Sequence, residues 1–254
     1  MVEEIENNKV LFGLMGKNIS YSFSRGYFKN KFEILKLKTH QYVNFDIQSI
    51  DEFQEIINNN RGDLKGLNVT IPYKEDVLDY LDEIDSVAKK IGAVNTICFT
   101  KERRLKGYNT DVFGFKESIL PLIKAHHTKA LILGTGGASK AVEYALKELH
   151  IDVLKVSRNS NNSDTISYKD LSEKVINERT IIVNSTPIGT HPNVDEKPNI
   201  PYKFINNKHL LFDLTYTPSV TAFLSEGKNR GATIKNGYQM LELQADEAWR
   251  IWNT

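Results

Sequence analysis

The sequence predicts an α/β protein in which strands and helices alternate along the chain. Short apolar runs stand between segments of helical periodicity, which is typical of βαβ units with a mostly parallel sheet. The apolar runs of the second half are continuous, as expected for strands that are covered on both faces. A glycine-rich loop at residues 134–137 lies between one of these runs and an amphipathic helical pattern. We therefore expect two α/β layers, divided near residue 105.

Four strands and two helices are predicted in the first half. The first helix carries Phe28, Phe32 and Leu35 on one face. Asn95 differs from its apolar neighbours in the fourth strand: its β-propensity is low, and it needs hydrogen-bond partners if it is buried. The strands are predicted at residues 10–15, 42–47, 64–70 and 93–99, and the helices at residues 24–37 and 75–91.

The second half repeats the alternation around the glycine loop. The helix after the loop has one apolar stripe, and the last helix, residues 237–252, has another on which Gln244 lies. A buried amide must hydrogen-bond to the protein or to a ligand, and both interpretations of Gln244 stay open. The strands are predicted at residues 130–133, 153–156, 181–183 and 210–214, with a loop at 192–201.

Composition excludes several classes of function. The chain has 254 residues, 40% of them hydrophobic, enough for one large core or two modest ones. Its 33 basic and 32 acidic residues disfavour nucleic acid and anionic membranes as partners. Cys98 is the single cysteine, and the histidines lack the spacing of a metal site. No apolar stretch is long enough to span a bilayer, and residues 1–6 are too acidic for a signal peptide, so we expect a cytoplasmic protein.

The glycine loop has the context that a dinucleotide-binding site needs. An apolar strand leads into Gly134-x-Gly136-x-x-Ser139, and an amphipathic helix follows. Glycines permit the tight turn and let the backbone approach a pyrophosphate at the helix N-terminus. The motif alone is weak, because its third small position is Ser139 rather than glycine or alanine. A turn that needs glycine only for steric reasons is the alternative.

The end of the next strand favours NADP over NAD. An NAD-binding chain usually has an acidic residue there, to hold the ribose 2′-hydroxyl. This sequence has Ser157 and Arg158 instead. The planar guanidinium suits a 2′-phosphate, and the serine hydroxyl can donate to it. A solvated loop arginine is the alternative.

Two titratable residues upstream of the loop are candidates for proton transfer. Lys74 follows Pro72, and proline favours the first position of a helix, so the sequence predicts Lys74 in a first turn where the helix dipole disfavours a cation. Asp111 precedes a helical run at residues 112–119 and is either a helix cap or a reacting group. The hydroxyl cluster around Ser22 and Ser24 is likewise a helix N-cap or a small anion site.

Eight short motifs follow one another along nearly the whole chain, and several of them are specific. In residue type and order they resemble the motifs of shikimate dehydrogenases. The motifs are Ser22-x-Ser24, Asn68-Val69-Thr70-x-Pro72-x-Lys74, Gly92-Ala93-Val94-Asn95-Thr96, Gly107-x-Asn109-Thr110-Asp111, Gly134-x-Gly136-Gly137-Ala138, Asn184-Ser185-Thr186-Pro187-x-Gly189, Asp213-Leu214-x-Tyr216-x-Pro218, and Gly237 with Met240-Leu241 and Gln244-Ala245.

The resemblance implies a fold of two α/β domains with the active site in the cleft between them. Residues 1–105 with 236–254 would form a substrate-binding domain with a mainly parallel sheet. Residues 106–235 would form a Rossmann-like NADP-binding domain. The implied reaction is the reversible, NADP-dependent reduction of 3-dehydroshikimate to shikimate on the way to chorismate and the aromatic amino acids. The sequence leaves a monomer and a homodimer open.

The resemblance also implies roles for individual residues. Lys74 and Asp111 would form the catalytic pair beside the C3 oxygen, and Lys74, held by Asp111, would deliver the proton as hydride passes between the nicotinamide and C3. Which of the two carries the proton stays open. Ser22 and Ser24 would hold the substrate carboxylate. The remaining substrate contacts would be Thr70, Asn95, Tyr216 and Gln244, and the cofactor contacts Gly134, Gly136, Gly137, Ala138, Ser157, Arg158, Thr186 and Gly237.

Some positions depart from the family pattern, and two other functions stay open. Asn18, Tyr21, Thr190 and Tyr238 replace residues common in the family, which leaves the shape of the pocket undetermined. The nearest alternative is a quinate/shikimate dehydrogenase with relaxed substrate or NAD use. A non-catalytic NADP-binding sensor on the same fold is the other, although both candidate reacting residues are present.

Overall fold

The computed structural model describes residues 9–20, 22–158 and 164–254. The interpretations of residues 1–6 and of Tyr21 fall outside these ranges. The chain divides into two compact units, Met1–Thr110 with Ala245–Thr254, and Asp111–Gln244. The boundaries predicted from the sequence follow residues 105 and 235 instead. The later boundary shifts because Gly114 packs against the last helix within the second unit: a Cβ there would lie 3.0 Å from Gln244 Cβ.

The first unit is built on a six-stranded mixed sheet of order β2-β1-β3-β5-β6-β4. Its parallel pairs are β1 with β2, β1 with β3, and β4 with β6, whereas β5 runs antiparallel to both of its neighbours. The strands are β1 (Val10–Gly16), β2 (His40–Asp46), β3 (Leu64–Val69), β4 (Glu83–Ile84), β5 (Thr96–Phe99) and β6 (Leu105–Tyr108); the helices are α1 (Phe23–Ile34), α2 (Phe53–Asn59), α3 (Ser86–Ile91) and the 3₁₀ turns Ile50–Glu52 and Asp76–Tyr80.

The predicted helix over residues 75–91 is wrong. The segment forms the 3₁₀ turn, then β4, then α3. Two aspartates stop a continuous helix. Asp82 donates its backbone N–H to the Leu105 carbonyl at 3.0 Å and accepts the Leu105 N–H on its carboxylate at 2.7 Å, and Asp85 caps α3 through the Val87 N–H. A side chain that binds backbone groups in this way competes with helix formation.

The interior of the first unit follows the predicted pattern, with one exception. Phe28 and Phe32 are buried as predicted, but Leu35 is 47% exposed, because α1 ends before it and Leu35 is the C-cap. The end of the last helix packs on this sheet, where Trp252 Nε1 donates to the Ile97 carbonyl at 3.0 Å. A side chain on Gly66 would overlap the Trp252 ring in its present position, so a larger residue fits only if the ring moves.

The second unit contains a six-stranded parallel sheet of order β12-β11-β10-β7-β8-β9. Numbered from β7, this is the 3-2-1-4-5-6 order of dinucleotide-binding folds, with the reversal of strand order between β7 and β10. Every residue of β10 and β11 is buried, as their continuous apolar sequences predict. The strands are β7 (Lys129–Leu133), β8 (Asp152–Ser157), β9 (Thr165–Ser167), β10 (Ile181–Asn184), β11 (Leu210–Asp213) and β12 (Thr233–Asn236).

The helices from residue 111 onward complete the predicted fold class, and the last of them ends in the first unit. They are α4 (Asp111–Ile119), α5 (Gly137–Glu148), α6 (Glu173–Glu178), α7 (Ala222–Lys228), α8 (Tyr238–Trp252) and the 3₁₀ turns Leu120–Leu122, Tyr168–Asp170 and Tyr202–Phe204. Across the residues with described positions, no helix combines the length and apolar character that crossing a membrane requires. The prediction of two α/β layers with mainly parallel strands is confirmed.

Candidate active site

The candidate substrate residues of the first unit gather at the carboxyl edge of its three parallel strands. Thr70 directly follows β3, and its N–H donates to the Met15 carbonyl of β1 at 2.9 Å. A side chain on Gly16, the last residue of β1, would overlap Thr70 Cγ2, so this glycine lets the two strand ends approach. Asn95 joins them, because its carbonyl accepts from the Val69 N–H at 2.8 Å.

Ser22 and Ser24 occupy the beginning of α1. Ser22 is the N-cap and accepts the Arg25 N–H at 3.4 Å, which confirms the capping interpretation for this residue. Ser24 is the second residue of α1, within the same first turn, and is hydrogen-bonded to the buried Tyr42 hydroxyl on β2. The binding of an anion by these two hydroxyls stays a prediction.

Lys74 does not lie in a helix, and the prediction of a first-turn position is wrong. Residues 71–75 form a turn ahead of the 3₁₀ turn Asp76–Tyr80, so the helix-dipole argument does not apply to this lysine. The turn is fixed on the core of the unit: Tyr73 donates its hydroxyl to the Ile47 carbonyl at 3.0 Å, and the Val94 N–H donates to the Lys74 carbonyl at 2.8 Å. The half-buried lysine is therefore held by backbone contacts to two neighbouring segments.

Asn95 is 3% exposed and has the partners that its burial requires. Its Oδ1 accepts the Thr110 N–H at 2.7 Å and the hydroxyls of Thr110 at 3.1 Å and Thr96 at 3.2 Å. The backbone donor fixes the orientation of the amide, since a flipped amide would set its NH₂ against this N–H. Any bond from Asn95 to a ligand is therefore donated by Nδ2.

Asp111 is the first residue of α4 in the second unit and is 7% exposed. A carboxylate in the first turn is stabilised by the positive end of the helix dipole, so the dipole interpretation has support. This does not decide between a structural and a reacting role, because a carboxyl group at a helix N-terminus can serve either one. The catalytic role stays a prediction.

Tyr216 and Gln244 also lie in the second unit. Tyr216 follows β11 and is half-buried, and burial raises the pKa of its hydroxyl, which keeps it a neutral donor. Gln244 lies on the buried stripe of α8, and its Nε2 donates to the Leu241 carbonyl at 3.0 Å. This bond supports the interpretation of a backbone-satisfied glutamine, and a ligand contact by Gln244 stays a prediction.

The glycine loop lies at the point where strand order reverses, between the ends of β7 and β10. Gly134 has φ +108°, a conformation that favours glycine, and a Cβ there would lie 2.9 Å from Ser185 Oγ. Gly136 is the N-cap of α5, and a Cβ there would meet nothing within 4 Å, which leaves room for a ligand at the helix N-terminus. Ser139 is buried, with its hydroxyl donating to the Gly136 carbonyl at 2.6 Å, and this explains why serine fits the third small position.

The cofactor candidates of the second unit flank this loop on both sides. The Gly134 N–H donates to the Val156 carbonyl at 2.9 Å, which places Ser157 and the exposed Arg158 beside the loop at the end of β8. On the other side, Ser185 donates its hydroxyl to the Leu133 carbonyl at 2.7 Å, and Thr186 follows it. These residues suit a 2′-phosphorylated dinucleotide at the switch point of the sheet.

Gly237 has a packing role that sequence reasoning did not find. A side chain there would overlap the Leu214 carbonyl oxygen, so the backbone approach alone requires glycine. Sequence reasoning also missed the buried partners of the site, Tyr42, Thr96 and Asn184. The signal for Asn184 was present, because it is a polar residue that ends a continuously apolar strand.

Comparisons with known proteins identify relatives of this chain in sequence and in fold. A family model described as the shikimate dehydrogenase substrate binding domain matches residues 14–97. The shikimate dehydrogenase (NADP(+)) of Clostridium botulinum is 41% identical over 251 residues, which are 94% of this chain and 95% of the relative. Shikimate dehydrogenase 1 of Peptoclostridium difficile has a TM-score of 0.83 at 36% identity, over 96% of this chain and 91% of that one. The Thermus thermophilus shikimate 5-dehydrogenase, solved with NADP(H) and shikimate, has a TM-score of 0.84 at 29% identity, over 96% of this chain and 93% of that one.

Fold and site together define a two-unit α/β protein of the dinucleotide-dependent oxidoreductase class. The glycine loop at the switch point of the second sheet is typical of a dinucleotide-binding protein. The polar residues at the strand ends of the first unit form the candidate substrate site. The comparisons make the class specific. The chain belongs to the shikimate dehydrogenase family.

Proposed function

We propose that this chain interconverts shikimate and 3-dehydroshikimate with NADP as the redox partner, and that Lys74 and Asp111 carry the proton transfer. The observation that supports it most directly is the 3-2-1-4-5-6 sheet with the glycine loop at its switch point, in a chain of the shikimate dehydrogenase family. In the direction of oxidation, the C3–H bond and the O–H bond both break. The hydride leaves from C3, and the proton leaves from the C3 hydroxyl.

NADP supplies, when bound, the nicotinamide that accepts or returns the hydride. The residues of the chain manage the charge and the proton. Lys74 stabilises the alkoxide that develops on the C3 oxygen and, with Asp111, takes up or returns its proton. The fixed turn that carries Lys74 supports this role, because a reacting group must be held in place by its surroundings.

Hydroxyls and amides at the edge of the first sheet bind the substrate in this proposal. Ser22 and Ser24 donate to the carboxylate from the start of α1. Thr70 and Asn95 contact the ring hydroxyls, Asn95 as a donor through Nδ2. Tyr216 and Gln244 contribute from the second unit, Tyr216 as a neutral hydroxyl.

The residues of the second unit fit NADP. Gly134 and the N-cap Gly136 lead into α5, and Gly137 and Ala138 are its first two residues, so a pyrophosphate bound there is stabilised by backbone N–H groups and the helix dipole. Arg158 and Ser157 recognise the 2′-phosphate from the end of β8, and no acidic residue stands at that strand end. Thr186 borders the loop from the end of β10, and Gly237 contacts the cofactor in addition to its packing role.

We further propose that the protein acts in the cytoplasm on small molecules alone, without nucleic acid or membrane partners. The near balance of charges supports this, because it provides no field to attract a polyanion. The reaction proceeds within one chain, so that either a monomer or a homodimer is active.

The test is the absorbance of reduced nicotinamide when purified protein meets shikimate or quinate with NADP or NAD. We expect fast reduction of NADP with shikimate. The value of kcat/KM should be at least tenfold lower when quinate replaces shikimate or when NAD replaces NADP. Equal rates with quinate or NAD would favour the relaxed quinate/shikimate dehydrogenase. A folded protein that binds NADP but turns over none of the pairs would contradict the enzymatic proposal and favour the NADP-binding sensor.

A further inference from the structure

A network of buried hydrogen bonds supports the candidate substrate residue Asn95, and Thr96 is its central member. Thr96 is fully buried, and its Oγ1 accepts from Asn68 Nδ2 at 3.1 Å and donates to Asn95 Oδ1 at 3.2 Å. Its hydroxyl also lies 3.2 Å from the hydroxyl of Thr110. One side chain therefore contacts both amides and the threonine that binds Asn95.

The part of this hydrogen-bond network that is furthest from Asn95 is fixed as well. Asn68 Oδ1 accepts from the Tyr42 hydroxyl at 2.8 Å, while its Nδ2 donates to the Asn95 carbonyl at 3.3 Å. The Tyr42 ring stacks on Phe28 with centroids 4.6 Å apart. Because the tyrosine hydroxyl donates to Oδ1, the Asn68 amide points its NH₂ group at Thr96, which accepts there and donates to Asn95.

We propose that Thr96 is a positioning residue for the reaction, which holds the amide of Asn95 so that Nδ2 is offered to the substrate. This rests on the proposed function, in which Asn95 contacts a substrate hydroxyl. Thr96 itself touches no substrate atom in this role. The Thr96 hydroxyl connects two amides whose orientations are both set by neighbouring donors. Removal of this hydroxyl leaves Asn68 Nδ2 without one of its acceptors and Asn95 Oδ1 without one of its donors.

The test compares Thr96→Val, which keeps the shape of the side chain and removes the hydroxyl, with Thr96→Ser, which keeps the hydroxyl. We expect Thr96→Val to raise KM for shikimate by roughly 3- to 20-fold, the effect of one or two hydrogen bonds, and to leave KM for NADP within twofold. Thr96→Ser should recover most of the shikimate affinity. Shikimate binding measured by calorimetry should show the same order of variants without relying on turnover.

A matched control removes a buried hydroxyl that lies outside this hydrogen-bond network. Thr180 is 8% exposed, and its Oγ1 has no hydrogen-bond partner in the part of the chain with described positions. Thr180→Val should leave both KM values within twofold. It should not lower the melting temperature, because no bond is lost.

A double-variant cycle distinguishes positioning from a purely structural role. If Thr96 acts through Asn95, Thr96→Val adds nothing to KM for shikimate once Asn95→Ala is present. Additive effects, or a fall in melting temperature with an unchanged KM for shikimate, would overturn the proposal. Failure of the proposed function is a separate result, since the unmodified protein would then turn over no shikimate at all.

Discussion

The two units contain the same asparagine–threonine contact, made at very different sequence separations. In the first unit, Asn95 Oδ1 accepts both the N–H and the hydroxyl of Thr110, fifteen residues away. In the second, Asn184 Oδ1 accepts both the N–H and the hydroxyl of Thr186, two residues away. Asn95 directly precedes β5, outside the strand that the sequence predicts to include it, and Asn184 is the last residue of β10. The local contact is visible in the sequence, whereas the distant one forms only when β5 and β6 pair.

The surroundings of the two asparagines differ in charge. Asn95 Oδ1 accepts from neutral groups, the hydroxyls of Thr96 and Thr110 and the Thr110 N–H. Asn184 Nδ2 instead donates to the buried carboxylate of Asp213 at 3.0 Å, which also accepts from the Thr221 hydroxyl at 2.6 Å. A neutral cluster holds its geometry independently of pH, whereas a buried carboxylate couples the geometry to its own ionisation. The predictions below test how far this contrast reaches.

The largest effect should come from the two residues proposed to transfer the proton, Lys74 of the first unit and Asp111 of the second. Lys74→Ala and Asp111→Asn should each lower kcat by roughly 10²–10⁴-fold, because each removes part of the proton transfer. Binding of NADP, measured by fluorescence, should change little in either variant. Lys90→Ala removes an exposed lysine in the last turn of α3 and serves as the control. Turnover within a few-fold of the unmodified protein in Lys74→Ala would remove this lysine from the mechanism.

A smaller effect is expected for cofactor choice, which the proposal assigns to the second unit alone. Arg158→Ala should raise KM for NADP by roughly 10- to 100-fold, the effect of losing a charge-assisted pair, and leave KM for NAD nearly unchanged. KM for shikimate should stay within twofold. Lys169→Ala, an exposed cation just beyond β9, is the control. Equal increases for NADP and NAD would show that Arg158 does not read the 2′-phosphate.

Packing glycines give a comparison of stability between the units. Gly237→Ala sets a methyl group against a backbone carbonyl and should cost about 2–3 kcal/mol of unfolding free energy. Gly66→Ala meets the Trp252 side chain, which can shift, and should cost about 1–2 kcal/mol.

The control for these glycines is Gly26→Ala, in α1, where a Cβ meets nothing within 4 Å. It should stabilise the protein by about 0.5–1 kcal/mol, since alanine is the better helix former. Chemical denaturation of the three variants measures all three effects. A Gly237→Ala variant as stable as the unmodified protein would refute the packing role.

The smallest effect is a pH dependence that separates the charged cluster from the neutral one. Burial raises the pKa of Asp213 above its ordinary value of 3.8, against hydrogen bonds from Thr221, Thr215 and Asn184 that lower it. As the pH rises past this ordinary value, Asp213 therefore ionises in the unfolded chain before it ionises in the folded protein. The free energy of unfolding falls progressively until the pH exceeds the pKa of Asp213 in the folded state. Relative to Asp213→Asn, the unmodified protein should lose melting temperature as pH rises through this window.

The neutral cluster provides the control for this pH dependence. Relative to Thr96→Val, the unmodified protein should keep a constant difference in melting temperature over the same pH range, because no group of that cluster titrates there. A constant difference for Asp213→Asn as well would show that its carboxyl does not couple pH to stability.

Local patterns predicted the fold class and the strands β1, β2, β3, β5, β7, β8, β10 and β11, but not β4, β6, β9 or β12. The continuous apolar runs predicted the buried strands β7, β10 and β11 within a residue or two, and the glycine loop was expected between β7 and α5 as observed. The helix over residues 75–91 was wrong, because its periodicity competes with bonds from Asp82 and Asp85 to partners that periodicity does not reveal. Lys74 was misplaced for a related reason: the turn that carries it is fixed by the Ile47 carbonyl and the Val94 N–H, both remote in sequence.

The sequence by itself determined the fold class, the family and the identity of the candidate residues, since these depend on residue type, order and short-range periodicity. The tertiary structure alone decided which strands are neighbours, and so that the glycine loop lies at the reversal of strand order. It also decided that Asn95 is oriented as a donor and that Thr96 and Tyr42 stand behind it. Hydrogen bonds between distant segments have no signature in the local sequence, because their geometry exists only after the strands that carry them have paired.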